Sequence, residues 1–458
     1  MPYHGPIWYA ATDGTAGGDG SYAAPWPLAT LLTNPFGRIQ PGDTVYLRGG
    51  TYTTDVDVTL AGTSGNPITI QPYPGETAII NGRVRVYGSD TTWTGLIFTY
   101  TGWTTRQSAY DGFTPADLPW DKTLTIRGAR TKITNCVMHD LVECELWDDA
   151  PDSELYGNVI YNNGFQQATQ GGAGHCLYTQ NVDGSTMTIH NNMWVSAYNF
   201  GFHAYGSSTS HIDNYDVRRN IHMSVRFLVG GNSAVVPAGI VVTDNAFYNS
   251  TVQLGYNETI ADDVTIHDNY IAAARLQVGP HQTVDIQGNT VAATADVVIL
   301  KGDIPAGTWD LNTYYSDNTG TPHYPFSREG ISYYTFAQWQ AATGFDAATS
   351  YTASLPTTNV IKVYANSCGG AHLGSVAIYN WQGLATVNVD LSSLGLTIGQ
   401  AYKLRNAQNY LAEWQAFTYT GSPVAVAMTG WTVAVPIAAA AALYPSTFPT
   451  FGAFVVTP

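Results

Sequence analysis

The sequence predicts an all-β chain: a solenoid of short parallel strands followed by an antiparallel β-sandwich. Three observations carry this expectation. Apolar runs of three to five residues, rich in Val, Ile and aromatics, recur and close on Asn, with Asn-to-Asn steps of 23, 34, 28, 25, 24 and 20 residues. Gly (46) and Pro (23) make up about 15% of the 458 residues, a turn-rich composition unsuited to a helical bundle. From Pro356 onward the period is lost, and strands alternate with clusters of turn residues.

The repeats are Ile133-Thr-Asn135, Leu155-Tyr-Gly-Asn158, Ile189-His-Asn-Asn192, Val217-Arg-Arg-Asn220, Val242-Thr-Asp-Asn245, Ile266-His-Asp-Asn269 and Ile286-Gln-Gly-Asn289. One turn of 20–25 residues makes three short strands whose inward side chains are buried by stacking on the next turn. Asn at each corner tolerates left-handed backbone and can hydrogen-bond its counterpart one turn away. The 34-residue step carries an insertion, Gln166–Gly174, and Thr101–Asp121 reads as a second loop holding Trp103, Tyr110, Phe113 and Trp120. Insertions of this kind map to one face of a solenoid, often the binding face. The repeat is expected over residues 1–302. A connector follows over 303–355, with a short capping helix at Thr335–Ala342, and then a sandwich over 356–458 whose core holds Trp381, Trp414 and Trp431.

Composition narrows the function. Charged residues are 11%, against about 25% on average, so Thr, Ser, Asn, Gln and Tyr must build a surface suited to sugars. The net charge of −16, without a basic patch, argues against nucleic acid and anionic membrane as partners. Four Cys with no Cys-x-x-Cys pair give neither a disulfide scaffold nor a structural zinc site. The opening Met1–Gly5 is no signal peptide, so the protein is expected outside the cell with its signal removed, or on a phage virion. Val424–Tyr444 is uncharged, but Thr429, Gly430, Thr432 and Pro436 interrupt it. Val424–Ala427 and Thr432–Val435 therefore read as buried strands and not as a membrane span.

The amino-terminal stretch Pro41-Gly-Asp-Thr-Val-Tyr-Leu-Arg-Gly-Gly-Thr-Tyr52, with Gly65-Asn-Pro-Ile-Thr-Ile70 and Tyr73-Pro-Gly-Glu76, resembles the opening of right-handed parallel β-helix proteins of the pectate-lyase-like superfamily. With the Asn repeats, the resemblance covers about residues 5–302. It implies the fold but no single activity, because the superfamily includes lyases, hydrolases, epimerases, esterases and phage tailspikes.

Reactive side chains gather in Glu143-Cys-Glu-Leu-Trp-Asp-Asp149, Gly174-His-Cys-Leu-Tyr-Thr-Gln180, Gly201-Phe-His-Ala-Tyr-Gly206 and Val225-Arg-Phe-Leu-Val229. Stacking these strands is expected to put Trp147, Tyr178 and Tyr205 in one column and Glu145, Cys176 and His203 in another. The acidic cluster offers the two carboxyl groups that glycoside hydrolysis needs, with Asp148 and Asp149 as acid and base or nucleophile and Glu145 nearby in the catalytic group. Calcium binding or plain turn chemistry is the alternative for that cluster. Asp148-Asp149 followed by Gly174-His175 is similar to the Asp-Asp and Gly-His-Gly motifs of polygalacturonase-like hydrolases, which implies a catalytic role for His175. The departures are Cys176 at the third position and no Asn-Thr-Asp or Arg-Ile-Lys motif. Trp147, Tyr178, His203, Tyr205 and Arg226 are the expected substrate contacts, Arg being a natural clamp for a sugar carboxylate.

The leading expectation is a polysaccharide-degrading hydrolase, monomer or homotrimer, needing no cofactor. The runner-up is β-elimination on a uronic-acid polymer with a base drawn from His175, His203, Tyr178 and Tyr205, and with calcium in the acidic cluster. Lys is scarce for such chemistry, since between residues 123 and 300 only Lys132 occurs. The third expectation is a non-catalytic glycan-binding or tailspike-like module.

Overall fold

The computed structural model describes residues 6–147, 149–207, 209–231, 235–256, 260–317, 324–329 and 332–458. The chain packs as two compact units. One comprises Met1–Thr188, Ala197–Asn199 and Val435–Leu443; the other comprises Ile189–Ser196, Phe200–Ala434 and Tyr444–Pro458.

In the first unit three parallel sheets form, each turn of chain contributing one strand to each. One sheet runs Thr44–Leu47, Ile68–Pro72, Thr91–Thr94, Lys132–Thr134, Glu154–Tyr156. The second runs Gly50–Thr53, Ala78–Asn81, Ile97–Thr99, Val137–His139, Val159–Asn163. The third, which carries the site, runs Val56–Val58, Val84–Val86, Leu124–Ile126, Cys144–Leu146, Leu177–Thr179. Its strands are three-residue units with apolar ends turned inward and a middle residue turned outward, as in buried Val84 and Val86 around Arg85. A short helix, Leu28–Thr33, buries Leu28, Leu31 and Leu32.

The second unit repeats the plan. Its turns carry an asparagine ladder: the Nδ2 of Asn192, Asn220, Asn245, Asn269 and Asn289 each donates to the Oδ1 of the next, ending on Asn312, at 2.9–3.1 Å. The same Oδ1 atoms accept the backbone N–H one turn back. The left-handed residue at each corner is the one before the ladder position: Asn191, Arg219, Asp244, Asp268, Gly288 and Leu311 all have φ of 52–68°. The expectation that the repeating Asn itself is left-handed is corrected by this geometry. Asn135 is left-handed (φ 53°), and Cys136, the residue after it, takes the Asn158 Oδ1 bond.

The stack also runs further than the Asn repeat read from sequence. Ala306–Asp310, Thr313–Ser316, Phe326–Arg328 and Ser350–Thr352 add to the sheets beyond residue 302. Asn312 then donates to buried Asp346, which also accepts from Trp339 Nε1 on the helix Phe336–Thr343. That helix starts on a Thr335–Gln338 capping box and buries Trp339.

The carboxy-terminal region of this unit is antiparallel. Val360–Ala365, Gly374–Tyr379, Phe451–Thr457, Ala401–Asn406 and Trp414–Thr418 form one sheet. Thr386–Val389 pairs with Val424–Ala427, and Val376, Ile378, Val389, Leu404, Val426 and Phe454 are among the side chains between. The sandwich packs on the turns of its own unit through Tyr379, whose hydroxyl lies 3.2 Å from the carbonyls of Phe247 and Tyr270, and through Lys362 on Asp244 at 2.9 Å.

Two expectations are corrected in the sandwich. Thr432–Val435 forms no strand, because its N–H groups go elsewhere: Thr432 to the Glu413 carboxylate and Ala434 to the Gln408 carbonyl. Trp414 is 44% exposed, because it lies on the outer face of an edge strand, while Trp431 packs against the core and Trp381 bonds the Tyr270 hydroxyl. No helix among the described residues is long and apolar enough to cross a membrane. The fold class is thus the expected one: all-β, with parallel β-helix turns followed by an antiparallel carboxy-terminal sandwich.

Candidate active site

On the third sheet of the first unit, the outward middle residues of successive strands align as Asp57, Arg85, Thr125, Glu145 and Tyr178. Glu145 therefore sits beside Tyr178, and the expected pairing with Cys176 is off by two residues. Cys176 is fully buried, its thiol turned to the Ile160 carbonyl. The insertion Gln166–Gly174 absorbs the slip. Part of it forms a small antiparallel hairpin, Phe165–Gln166 with Gly172–Ala173, whose residue count cannot be read from the repeat.

Glu145 is the most perturbed carboxyl here. Burial and the neighbouring Glu143 charge push its pKa up to about 7, against the opposing pull of Thr125 and Trp147. Thr125 Oγ1 donates to Glu145 Oε2 at 2.5 Å and lies 2.7 Å from Thr123 Oγ1. The buried Trp147 indole N–H lies close enough to Glu145 to favour its charged form but is not aligned for a full hydrogen bond. Glu143 is held from the other side: His175 Nδ1 lies 2.5 Å from its Oε2. The Asn163 amide donates to the His175 carbonyl at 3.3 Å and fixes that strand end.

Aromatic rings frame these groups. The His175 and Tyr178 centroids lie 5.6 Å apart, and Trp147 and Tyr178 5.9 Å apart. Gln180 Nε2 donates to the Tyr178 hydroxyl at 2.9 Å. Phe113, 57% exposed on the long loop, stacks over His175 at 6.4 Å. The rest of that loop is divided: Trp103 packs into its own small core with Leu118 and Phe165, while Tyr110 and Trp120 are exposed.

The other expected residues are placed as follows. Asp148 lies outside the described residues. Asp149 is ion-paired with Arg127 at 3.0 Å, and Arg127 covers the Trp147 ring at 4.9 Å. His203, Tyr205 and Arg226 belong to the second unit, where His203 stacks on Phe200 at 4.2 Å and neighbours Tyr205 at 5.4 Å. Arg226 lies over Phe200 at 4.3 Å.

Sequence reasoning missed three groups. Arg85 has no ion-pair or hydrogen-bond partner among the described residues, and it stands in the Glu145 column. Its signal was legible: it is the charged middle of an apolar triplet, Val84-Arg85-Val86. Thr125 gives the same signal in Leu124-Thr125-Ile126. Lys122 lies just before residues 123–300, where Lys132 is the single lysine. It is paired with Asp55 at 2.5 Å and Asp121 at 3.5 Å. Burial lowers its pKa, but these two carboxylates outweigh burial and raise it.

No family model matches the chain. A curated protein, pectate lyase PEL9 of Emericella nidulans, is 36% identical over 77 residues, which are 16% of this chain and 18% of that protein. Over that stretch the chain is similar to a pectate lyase. The match therefore spans less than a fifth of the relative's length. Similar solved structures include a GH136 lacto-N-biosidase from Eubacterium ramulus, at 11% identity and TM-score 0.40 over 76% of this chain and 66% of that one. Pectate lyase Pel9A gives 12% identity and TM-score 0.32 over 76% of each chain. A mannuronic acid specific polysaccharide family 6 lyase from human gut microbiota gives 15% identity and TM-score 0.40 over 76% of this chain and 91% of that one.

Proposed function

We propose that the protein is an enzyme that cleaves the glycosidic bonds of an extracellular polysaccharide by hydrolysis, with Glu145 as the proton donor and Glu143 as the carboxyl beside it. The observation that carries this is Glu145: an outward-facing carboxyl held up to about 7 beside a second carboxyl. Such a group keeps its proton near neutrality and can give it to a leaving oxygen. In the step, Glu145 donates its proton to the glycosidic oxygen, whose bond to the anomeric carbon breaks with the electron pair leaving on oxygen. A water attacks that carbon and releases its proton to solvent, while the Glu143 charge, oriented by the His175 Nδ1 bond, holds the proton on Glu145 until it is given up. Reprotonation of Glu145 from solvent closes the cycle. Phe113, Trp147 and Tyr178 offer ring faces for the sugars.

No metal is needed for this step. Each described carboxylate of the cluster already has a protein partner: Glu143 on His175, Glu145 on Thr125 and Asp149 on Arg127. That donor set suits proton and ion-pair chemistry better than a calcium cage of free oxygens.

A second reading, β-elimination on a uronate polymer, is favoured by Arg85, which has no partner among the described residues and could neutralise a substrate carboxylate, and by the pectate-lyase match. Lys122 does not serve as its base, since two carboxylates hold its proton on. The test is a panel of acidic and neutral polysaccharides followed in parallel by reducing ends and by the ultraviolet absorbance of an unsaturated product. Reducing ends without absorbance, with a rate that falls as pH rises above about 7 as Glu145 loses its proton, support hydrolysis. Absorbance rising with reducing ends overturns it in favour of elimination.

A further inference from the structure

The outer face of the sandwich sheet carries a cationic aromatic ledge that the chemistry proposed for the outward side of the third parallel sheet, its rung face, does not use. On the paired strands Ala401–Asn406 and Trp414–Thr418, the outward pairs are Ala401 with Thr418, Lys403 with Ala416, and Arg405 with Trp414. Trp414 is 44% exposed, and three of its five neighbours on this face are small. The Arg405 guanidinium is fixed between two rings, 5.1 Å from Trp414 and 5.3 Å from Tyr410, by bonds to Thr457 Oγ1 and the Tyr410 carbonyl. The Lys403 ammonium reaches within 5.7 Å of the Trp414 ring.

Charge sets this ledge apart. Most other cations are matched to carboxylates, among them Arg48 to Glu76, Arg106 to Asp140, Arg130 to Asp90 and Lys362 to Asp244; Arg85 on the third sheet is an exception. Lys403 and Arg405 have no carboxylate partner among the described residues. In a chain of net charge −16, two adjacent cations left without counter-charge beside an exposed indole form a local exception to a field that repels polyanions.

We propose that this ledge is a second, non-catalytic saccharide site for a polymer of carboxylate-bearing sugars. The indole packs against the C–H face of a pyranose ring, Lys403 and Arg405 take its carboxylate, and the small residues leave the shelf flat for the next sugar. Arg405 is already locked, so little side-chain entropy is lost on binding. The choice of a saccharide as ligand rests on the polysaccharide reading of the rung face, but binding here is measured without cleavage.

The experiment is affinity electrophoresis of the full chain carrying Glu145→Gln, in gels containing polygalacturonate, alginate, a neutral glucan or polyacrylate. The expected result is retardation by polygalacturonate or alginate beyond that by polyacrylate. Adding Trp414→Ala or Lys403→Gln should weaken the apparent affinity by about fivefold, the equivalent of about 1 kcal/mol. Trp414→Ala on the otherwise wild-type chain should leave its melting temperature and its rate on short soluble oligosaccharides unchanged. Equal retardation by polyacrylate means ion exchange alone and overturns the proposal. So does a Trp414→Ala chain that migrates like its parent, or the absence of retardation by both uronate polymers. Loss of cleavage in wild-type chain with ledge binding intact would instead remove the proposed rung-face function and leave this site standing.

Discussion

The outward middle residues of the third sheet read Asp57, Arg85, Thr125, Glu145, Tyr178 in the first unit. The corresponding column in the second unit starts at half-buried His203 and continues as Leu228, Gln253, Gln277, Ile299, Ser327. Both columns stand on short strands, mostly of three residues. Beyond His203 the second is neutral and buried throughout; in the first, Arg85, Glu145 and Tyr178 are partly open. The backbone therefore does not require charge at this position. A carboxyl raised to about 7 and an arginine without a partner among the described residues are local departures from comfort, of the kind that cluster at functional sites.

The largest effect should come from removing the charged column's central group. Glu145→Gln is expected to lower the cleavage rate about 10³-fold while the chain still folds, as checked by initial rates and thermal melting. Equal activity in the variant would erase the functional half of the comparison. The second unit should respond in the opposite way. Asn245→Ala removes two ladder bonds and orphans the Asn220 N–H, so urea denaturation should show a loss of about 3 kcal/mol with any cleavage activity little changed at low temperature.

A smaller effect is expected at Arg85. Arg85→Gln should raise KM about tenfold on a uronate polymer and leave it unchanged on a neutral one. Indifference on both polymers would make Arg85 a solvated surface residue.

The smallest effects are in the pH dependence of stability, and they carry opposite signs in the two units. Glu145 has its pKa raised on folding, so it holds more protons in the native state. Its contribution is present below about pH 4.3 and is lost as pH rises through about 7. Glu145→Gln should remove that decline. His222 is fully buried between Trp194 and Phe247, neither ring nitrogen has a hydrogen-bond partner among the described residues, and burial pushes its pKa well down. The unfolded chain therefore takes up the proton first, and stability falls as pH drops below about 6.5. His222→Phe should flatten that acid-side loss and add about 1 kcal/mol at pH 5, as read by denaturant titration across pH.

Much of the architecture was legible because a solenoid repeats its information locally. Apolar triplets, the Asn spacing, and the loss of period after the last turn all follow from neighbours within one turn of chain. Leu124-Thr125-Ile126 and Val84-Arg85-Val86 show that outward positions could be read as well, once each strand is known to be three residues long. The acidic cluster was visible as composition, but the partners of its members were not. Asp149 is taken by Arg127, while Glu143 acquires His175 from the next turn.

What the sequence by itself determined was the kind of fold, the period, and the region of the chain where carboxyls gather. The tertiary structure alone decided the register across the Gln166–Gly174 insertion, which set Tyr178 and not Cys176 beside Glu145. It also decided the burial that gives Glu145 its proton and the edge position that exposes Trp414. The physical reason is the same in each case. Register across a loop, desolvation and ion pairing depend on groups brought together from different turns, and no local pattern of residues encodes their distances.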